Sequence, residues 1–281
     1  MSGELPRRMG IVGLGLMGGS LARALREVAP EVRIAAAEPR AEVRERAVRE
    51  GVVDEAHEAP SDWLGGCEIV VLCTPIAAIE ALLAPVSCRM PQGSVLSDVG
   101  GAKERVLVVA REDLHPGVSF VGAHPMFGGR GGFEASRADR WRGGTVAVCT
   151  DGVPAPAAER VAALHRALGA KVVSCTAAEH DLAVAMVSHL PYLLAGAMSL
   201  AARGAGPLAQ ELAGPGLNDA TRLAAFAFDI QGEVARRNAH LPGAAAELER
   251  QLHRLLGSIA ESKEAARQAL EEARAAREEL F

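Results

Sequence analysis

Near the start of the chain, Gly13-Leu14-Gly15-Leu16-Met17-Gly18 sets three glycines in a turn between an apolar run and an amphipathic stretch. This spacing restricts the fold more than any other feature. Gly13 permits a tight turn, Gly15 lets backbone approach a ligand, and Gly18 lets the next helix pack closely on its strand. The helix opening at Leu16 and Met17 offers free N–H groups and a partial positive charge, a cradle for phosphate. The next apolar run ends at Glu38, where a carboxylate would accept ribose hydroxyls and repel a 2′-phosphate, favouring NAD over NADP. Arg40, two residues on, works against that preference. The competing reading is a glycine-rich turn that binds no nucleotide.

The surrounding pattern supports the dinucleotide reading. Residues 9–12, 32–37, 68–73, 94–98, 118–123, 145–149 and 171–175 read as strands, with amphipathic stretches such as 16–28, 41–50 and 156–168 between them. Such alternation predicts a mainly parallel sheet with helices on both faces. Thr74-Pro75 ends the run 68–73 and is expected beside the cofactor. Past Thr176 the strand-like runs stop and Ala/Leu-rich helical sequence follows, broken at Gly204–Pro207 and Gly214–Gly216. The expectation is an α/β Rossmann-type dinucleotide-binding domain over 1–175, then an all-α helical domain over 176–281. Residues 241–281 read as long helices, solvated or packed in a subunit interface.

Composition closes off other classes. The formal net charge of −5 argues against nucleic-acid binding by bulk electrostatics. Lysine occurs only at 103, 171 and 263, so a catalytic lysine has few candidates. The five cysteines form no CxxC pair, which disfavours a metal site, and their apolar settings suit free thiols in a reducing cytosol. Met1–Arg8 is short and polar, unlike a signal peptide. The apolar stretch 182–202 is interrupted by Ser188, His189, Pro191 and Ser199 and reads as a buried helix, not a membrane span.

Four clusters carry candidate chemistry. Ser97–Lys103 closes a strand, with Asp98 on the cofactor side and Gly101 and Lys103 toward a substrate. His124-Pro125-Met126 follows another strand, where an imidazole beside the crevice can act as acid or base, or simply shape a turn. In a helix over 177–200, Asp181, Ser188, His189 and Tyr192 would share a face, and Pro191 would free the carbonyl of Val187 and bend the helix near His189. That stripe suits a cleft wall or satisfied core groups equally. Arg222, after Asn218-Asp219, suits bidentate capture of a carboxylate or a surface pair with Asp219.

In this order the clusters resemble the prephenate/arogenate dehydrogenase family of tyrosine biosynthesis, through Gly13–Ser20, Asp98–Lys103, Gly122–Gly128, His180-Asp181 with Ser188–Pro191, and Asp219–Arg222 followed by Asp229-Ile230 and Asn238. The resemblance implies oxidative decarboxylation of prephenate by NAD, with His124 taking the hydroxyl proton, Arg222 holding the ring carboxylate, and His189 and Ser188 at the substrate. It implies intertwined helical domains in a homodimer, a cytoplasmic enzyme, and no added regulatory domain before Phe281. The chain departs from the family at Gly101, usually Ser, at Tyr192 and Asn218, and at Phe127, Gly129 and Arg130. These departures leave arogenate or 4-amino-4-deoxyprephenate open as substrate, and Arg130 points to an anionic side chain. Two rivals are a β-hydroxyacid dehydrogenase, which lacks its lysine here, and a silent NAD sensor.

Overall fold

The computed structural model describes residues 5–280; residues 1–4, part of the Met1–Arg8 segment, and Phe281 lie outside the described residues. Strands β1 (Arg8–Val12), β2 (Arg33–Ala37), β3 (Glu55–His57), β4 (Ile69–Leu72), β5 (Val95–Asp98) and β6 (Ser119–Val121) form one sheet in the order β3-β2-β1-β4-β5-β6. All its pairings are parallel. Strand order reverses between β1 and β4, and a ligand binds such sheets beyond the strands' C-terminal ends at that point.

Helices α1 (Leu16–Val28), α2 (Ala41–Arg49), α3 (Ile76–Ser87) and α4 (Glu104–Asp113) cover the sheet. Two cores result. One joins Ile11, Ile34 and Val71 to Leu21 and Leu25 of α1; the other joins Val70, Leu72 and Leu96 to Ile79 and Leu83 of α3 and Val106 of α4. A strand buried on both faces needs apolar residues throughout, which is why β4 reads Ile-Val-Val-Leu without alternation. The expectation missed β3, a three-residue edge strand of sequence Glu-Ala-His with no apolar run.

The predicted strand 118–123 is two strands. After β6 the chain breaks at Gly122 and enters β7 (Ala123–Pro125), which belongs to a second, three-stranded sheet with β8 (Thr145–Cys149) and β9 (Lys171–Cys175). β7 runs antiparallel to β8, whereas β8 and β9 are parallel. A side chain at 122 would approach the Lys103 stem at 3.1 Å, so glycine suits the crossing. His124 therefore lies within a strand, not beyond one. Helix α5 (Ala155–Ala167) backs both sheets.

After β9 no strand follows among the described residues. Thr176 caps α6 (Ala177–Val184) in a reciprocal box with Glu179. The helix widens into a π turn at Ala185–His189 and continues as α7 (Leu190–Gly204). Pro191 cannot donate to the carbonyl four residues back and its ring crowds it; the π turn absorbs that conflict. Short helices α8 (Pro207–Glu211), α9 (Pro215–Thr221) and α10 (Glu233–Arg237) precede the long pair α11 (Leu241–Glu261) and α12 (Lys263–Leu280). The apolar segment expected to be buried is only 28% so. It is long and apolar enough to cross a membrane by length and composition. Its polar side packs on the first domain while Leu182, Val187, Leu193 and Leu200 face outward.

Candidate active site

The glycine turn is shaped as its spacing implies. Gly13 has φ +94°, and a Cβ there would lie 2.8 Å from the carbonyl oxygen of Cys73. A Cβ on Gly18 would fall 1.9 Å from the Gly13 carbonyl oxygen, so α1 can sit where it does only with glycine. A Cβ on Gly15 would meet nothing within 4 Å, leaving the approach to the Leu16 and Met17 end of α1 open. No side chain caps that end. Thr74 flanks the turn, and its buried hydroxyl has no partner among the described residues; Pro75 beside it is exposed. An open, uncapped helix start beside an unsatisfied hydroxyl fits a dinucleotide pyrophosphate.

Glu38 ends just past β2. Its carboxylate accepts from the backbone N–H of Leu14 at 3.0 Å and from the Arg40 guanidinium at 2.7 Å. Burial pushes its pKa up, but the bonds from Arg40 and Leu14 outweigh this and hold it ionised below the usual range. Arg40 is thus tied to the carboxylate it was expected to oppose.

Asp98 and Lys103 lie deeper than expected. Neither side chain reaches solvent, and they pair at 2.5 Å. Asp98 also accepts from the amides of Gly100 and Ala123, and the Lys103 ammonium donates to the carbonyl of Ala123. The sequence placed Asp98 at the cofactor and Lys103 at the substrate. Instead their charges neutralise each other, because an unpaired charge at such depth is prohibitively costly, and together they clamp the peptide preceding His124.

Three imidazoles converge over this frame. His124 Nδ1 lies 2.8 Å from His180 Nε2, and His180 Nδ1 lies 2.7 Å from the Asp181 carboxylate. Asp181 crosses the domain boundary to accept from the backbone N–H groups of Lys103 (2.8 Å) and Glu104 (3.0 Å), capping α4. Burial raises the Asp181 pKa, but His180 and these two amides prevail and keep it ionised. His189, from the π turn, is buried, with Nδ1 3.0 Å from the Asn238 amide nitrogen, the Gly101 backbone nearby, and Nε2 without a hydrogen bond of good geometry among the described residues. Burial, followed by neighbouring His180, Lys103 and His189, depresses the His124 pKa well below the usual histidine value; burial likewise lowers His189.

Gly101 sits at the meeting point. A Cβ there would be 3.5 Å from His124 Nε2 and 2.9 Å from Val234 of α10, so valine fills the place a larger residue would need. Ser188 and Tyr192 turn away from Asp181 and His189 to line a small cleft with Leu223 and Phe226, because successive helical positions diverge. Arg130 donates to the carbonyl of Ala225 at 2.7 Å and covers the Phe226 ring. It tethers the loop after His124 to the short helix Arg222–Ala225, which packs on α7. Arg222 itself is exposed and makes no hydrogen bond or ion pair among the described residues.

Comparison with protein families matches residues 21–174 to the prephenate dehydrogenase nucleotide-binding domain and residues 176–272 to the prephenate dehydrogenase dimerization domain. The chain belongs to the prephenate dehydrogenase family. Among relatives, a cyclohexadienyl dehydrogenase of Zymomonas mobilis is 28% identical, covering 83% of this chain and 81% of its own. Two longer relatives, each named prephenate dehydrogenase, match over 60% and 63% of their own lengths. A solved prephenate dehydrogenase from Aquifex aeolicus, in complex with hydroxyphenyl propionate and NAD+, superposes with TM-score 0.90 at 24% identity, covering 98% of each chain. A Synechocystis arogenate dehydrogenase gives 0.82 at 26% identity, covering 98% of this chain and all of its own.

Within this prephenate dehydrogenase fold, three participants escaped the sequence reading. His180 and Asn238 entered only through the family resemblance, with no contact foreseen for either, and Val234 not at all. Polar residues on an otherwise apolar helix were the available signal for His180. For Val234, from a segment more than forty residues away, none was available.

Proposed function

We propose that this chain catalyses the NAD-dependent oxidative decarboxylation of prephenate to 4-hydroxyphenylpyruvate, a step of tyrosine formation. One observation carries the reading: His124, anchored through Nδ1, turns Nε2 toward Gly101 beside an orphaned His189 nitrogen. The sheet's switch point and the uncapped start of α1 lie in the same domain. The names of the relatives support a cyclohexadienyl substrate, and the complex of the Aquifex protein supports NAD.

NAD supplies a hydride acceptor when bound; Gly13–Gly18, Thr74 and Glu38 would hold it. His124 accepts the proton of the ring hydroxyl as the carbon beneath it becomes a carbonyl carbon. Carbon dioxide leaves the opposite ring carbon, its bonding pair completes the aromatic ring, and the ring oxygen takes its proton back from His124. A depressed pKa keeps His124 neutral and able to accept, and aromatisation provides the driving force. Arg222, exposed and without an ion pair, is available for a substrate carboxylate. The outward apolar side of α7, in a chain whose second half matches a dimerization domain, supports a homodimer.

The test is steady-state NADH formation with prephenate, arogenate and 4-amino-4-deoxyprephenate. Turnover of prephenate at the highest kcat/KM is expected. Tight NAD binding without turnover of any of the three would overturn the proposal.

A further inference from the structure

Two hydrogen-bond chains start at Asp181 and end at the two site histidines. The first leaves its carboxylate. An ionised carboxylate only accepts, so the 2.7 Å contact places a proton on His180 Nδ1. The lock then requires a bare His180 Nε2, receiving a proton from its 2.8 Å partner, His124 Nδ1. His124 is left with its lone pair on Nε2, the atom facing Gly101.

The second chain leaves the Asp181 carbonyl, which accepts from the Asn238 amide nitrogen at 2.6 Å. The orientation of that amide is fixed independently, because its oxygen accepts from the backbone N–H of His240 at 2.9 Å. The amide nitrogen has a second hydrogen, and its 3.0 Å partner is His189 Nδ1, which must therefore accept. Neutral His189 carries its proton on Nε2. That N–H is buried and makes no hydrogen bond of good geometry among the described residues, with only the Gly101 backbone close enough to favour a protonated ring.

We infer that His180 and Asn238 are positioning residues that lock His124 and His189 in opposite tautomers, so that a bare nitrogen and an N–H together read a neutral hydroxyl on the substrate. The inference rests on the proposed reaction and narrows its substrate. A hydroxyl donates to His124 Nε2 and still has lone pairs for the His189 N–H. A protonated amine in the same place donates but has no lone pair to offer, so it leaves the His189 N–H unsatisfied and facing a positive charge. Gly101 puts no side chain in front of His124 Nε2, and burial favours the neutral forms of both imidazoles.

The test begins with the intact protein labelled with 15N in its histidine rings. Long-range proton–nitrogen spectra distinguish the two neutral tautomers, and His124→Asn and His189→Gln identify the signals. A protonated Nδ1 on His124 and a protonated Nε2 on His189 are expected. The reverse on either ring, or a mixture, overturns the lock whatever the enzyme turns over. His180→Gln retains a donor for Asp181 and an acceptor for His124, and should keep most of kcat. His180→Leu should lose about 10²-fold in kcat with NAD affinity unchanged. Equal losses in the two variants would make His180 merely structural. The hydroxyl substrate should exceed its amino analogue in kcat/KM, and Asn238→Leu should shrink that ratio; an unchanged ratio overturns the role of Asn238. Absence of turnover by the parent enzyme overturns the proposed function instead, with the tautomers still readable.

Discussion

Asp98 and Lys103 form an ion pair closed to solvent that grips both backbone polar groups of Ala123, the residue before His124. The pair fixes the peptide from which the site imidazole projects. Lys103→Met would strand a carboxylate in the core, at a cost of about 3–5 kcal/mol. Asp98→Asn combined with Lys103→Met removes both charges and should recover part of that loss. Chemical denaturation of the three proteins checks the order; a single variant as stable as the parent would show that the pair is not buried as described.

The glycine turn separates folding from binding. Gly18→Ala drives a methyl into the Gly13 carbonyl oxygen and should lower both stability and NAD affinity. Gly15→Ala meets no neighbour in the chain and keeps an ordinary extended conformation. It should leave the denaturation midpoint unchanged while weakening NAD binding by tenfold or more, about 1.4 kcal/mol. Calorimetric titration with NAD, alongside thermal unfolding, reads both. A Gly15→Ala protein that binds NAD normally would move the pyrophosphate elsewhere.

Short-range signals made much of this legible. The glycine spacing and apolar period gave α1 its observed bounds, and Pro191 marked the departure from a regular helix at His189. What could not be read was set by distant partners. Nothing near Gly122 says that β6 and β7 join different sheets, since that depends on pairing with β8. Lys103 turns inward because Asp98 and Ala123 lie there, a pairing that its expected place toward the substrate did not foresee. His124 was legible as a candidate base, whereas its contact with His180 spans 56 residues and needs the domains docked. The outward apolar side of α7 was missed because apolar sequence alone does not say which chain covers it.

His124→Asn isolates the proton-accepting atom. Asparagine can still donate near the Nδ1 position toward His180 but has no counterpart to Nε2. Turnover should fall by about 10²–10⁴-fold while NAD affinity stays within twofold, since general-base catalysis contributes about that much. The parent's acid limb should lie below the ordinary histidine pKa, because burial disfavours the imidazolium. Retained turnover in the variant would remove His124 from the chemistry.

A second buried imidazole ties stability to pH. His165 accepts from the Trp141 indole N–H at 3.0 Å, and burial lowers its pKa to about 4. Its unfolded pKa is near 6.5, so folded and unfolded states are both neutral above that value. As pH falls from about 6.5 to about 4, only the unfolded chain takes up the proton, and about 3 kcal/mol of stability is lost. His165→Asn keeps an oxygen for Trp141 and does not titrate. Urea midpoints measured across that window should decline less steeply in the variant; parallel slopes would show that other groups set the acid response.

The last expectation concerns the outward side of α11, where Leu252, Leu256 and Ile259 recur at helical spacing and are each more than half exposed. Exposed apolar side chains at successive turns are costly in water, and the proposed homodimer would cover them with a second copy. In a two-fold dimer each substitution acts twice. Leu256→Glu with Ile259→Glu therefore removes four apolar side chains from the interface. At about 1.5–3 kcal/mol for each, the loss is on the order of 6 kcal/mol or more, raising the dimer dissociation constant by about 10⁴-fold. Sedimentation should show a dimer for the parent and a folded monomer for the variant. A variant that stays dimeric would place the interface on another surface, with the outward side of α7 the next to examine.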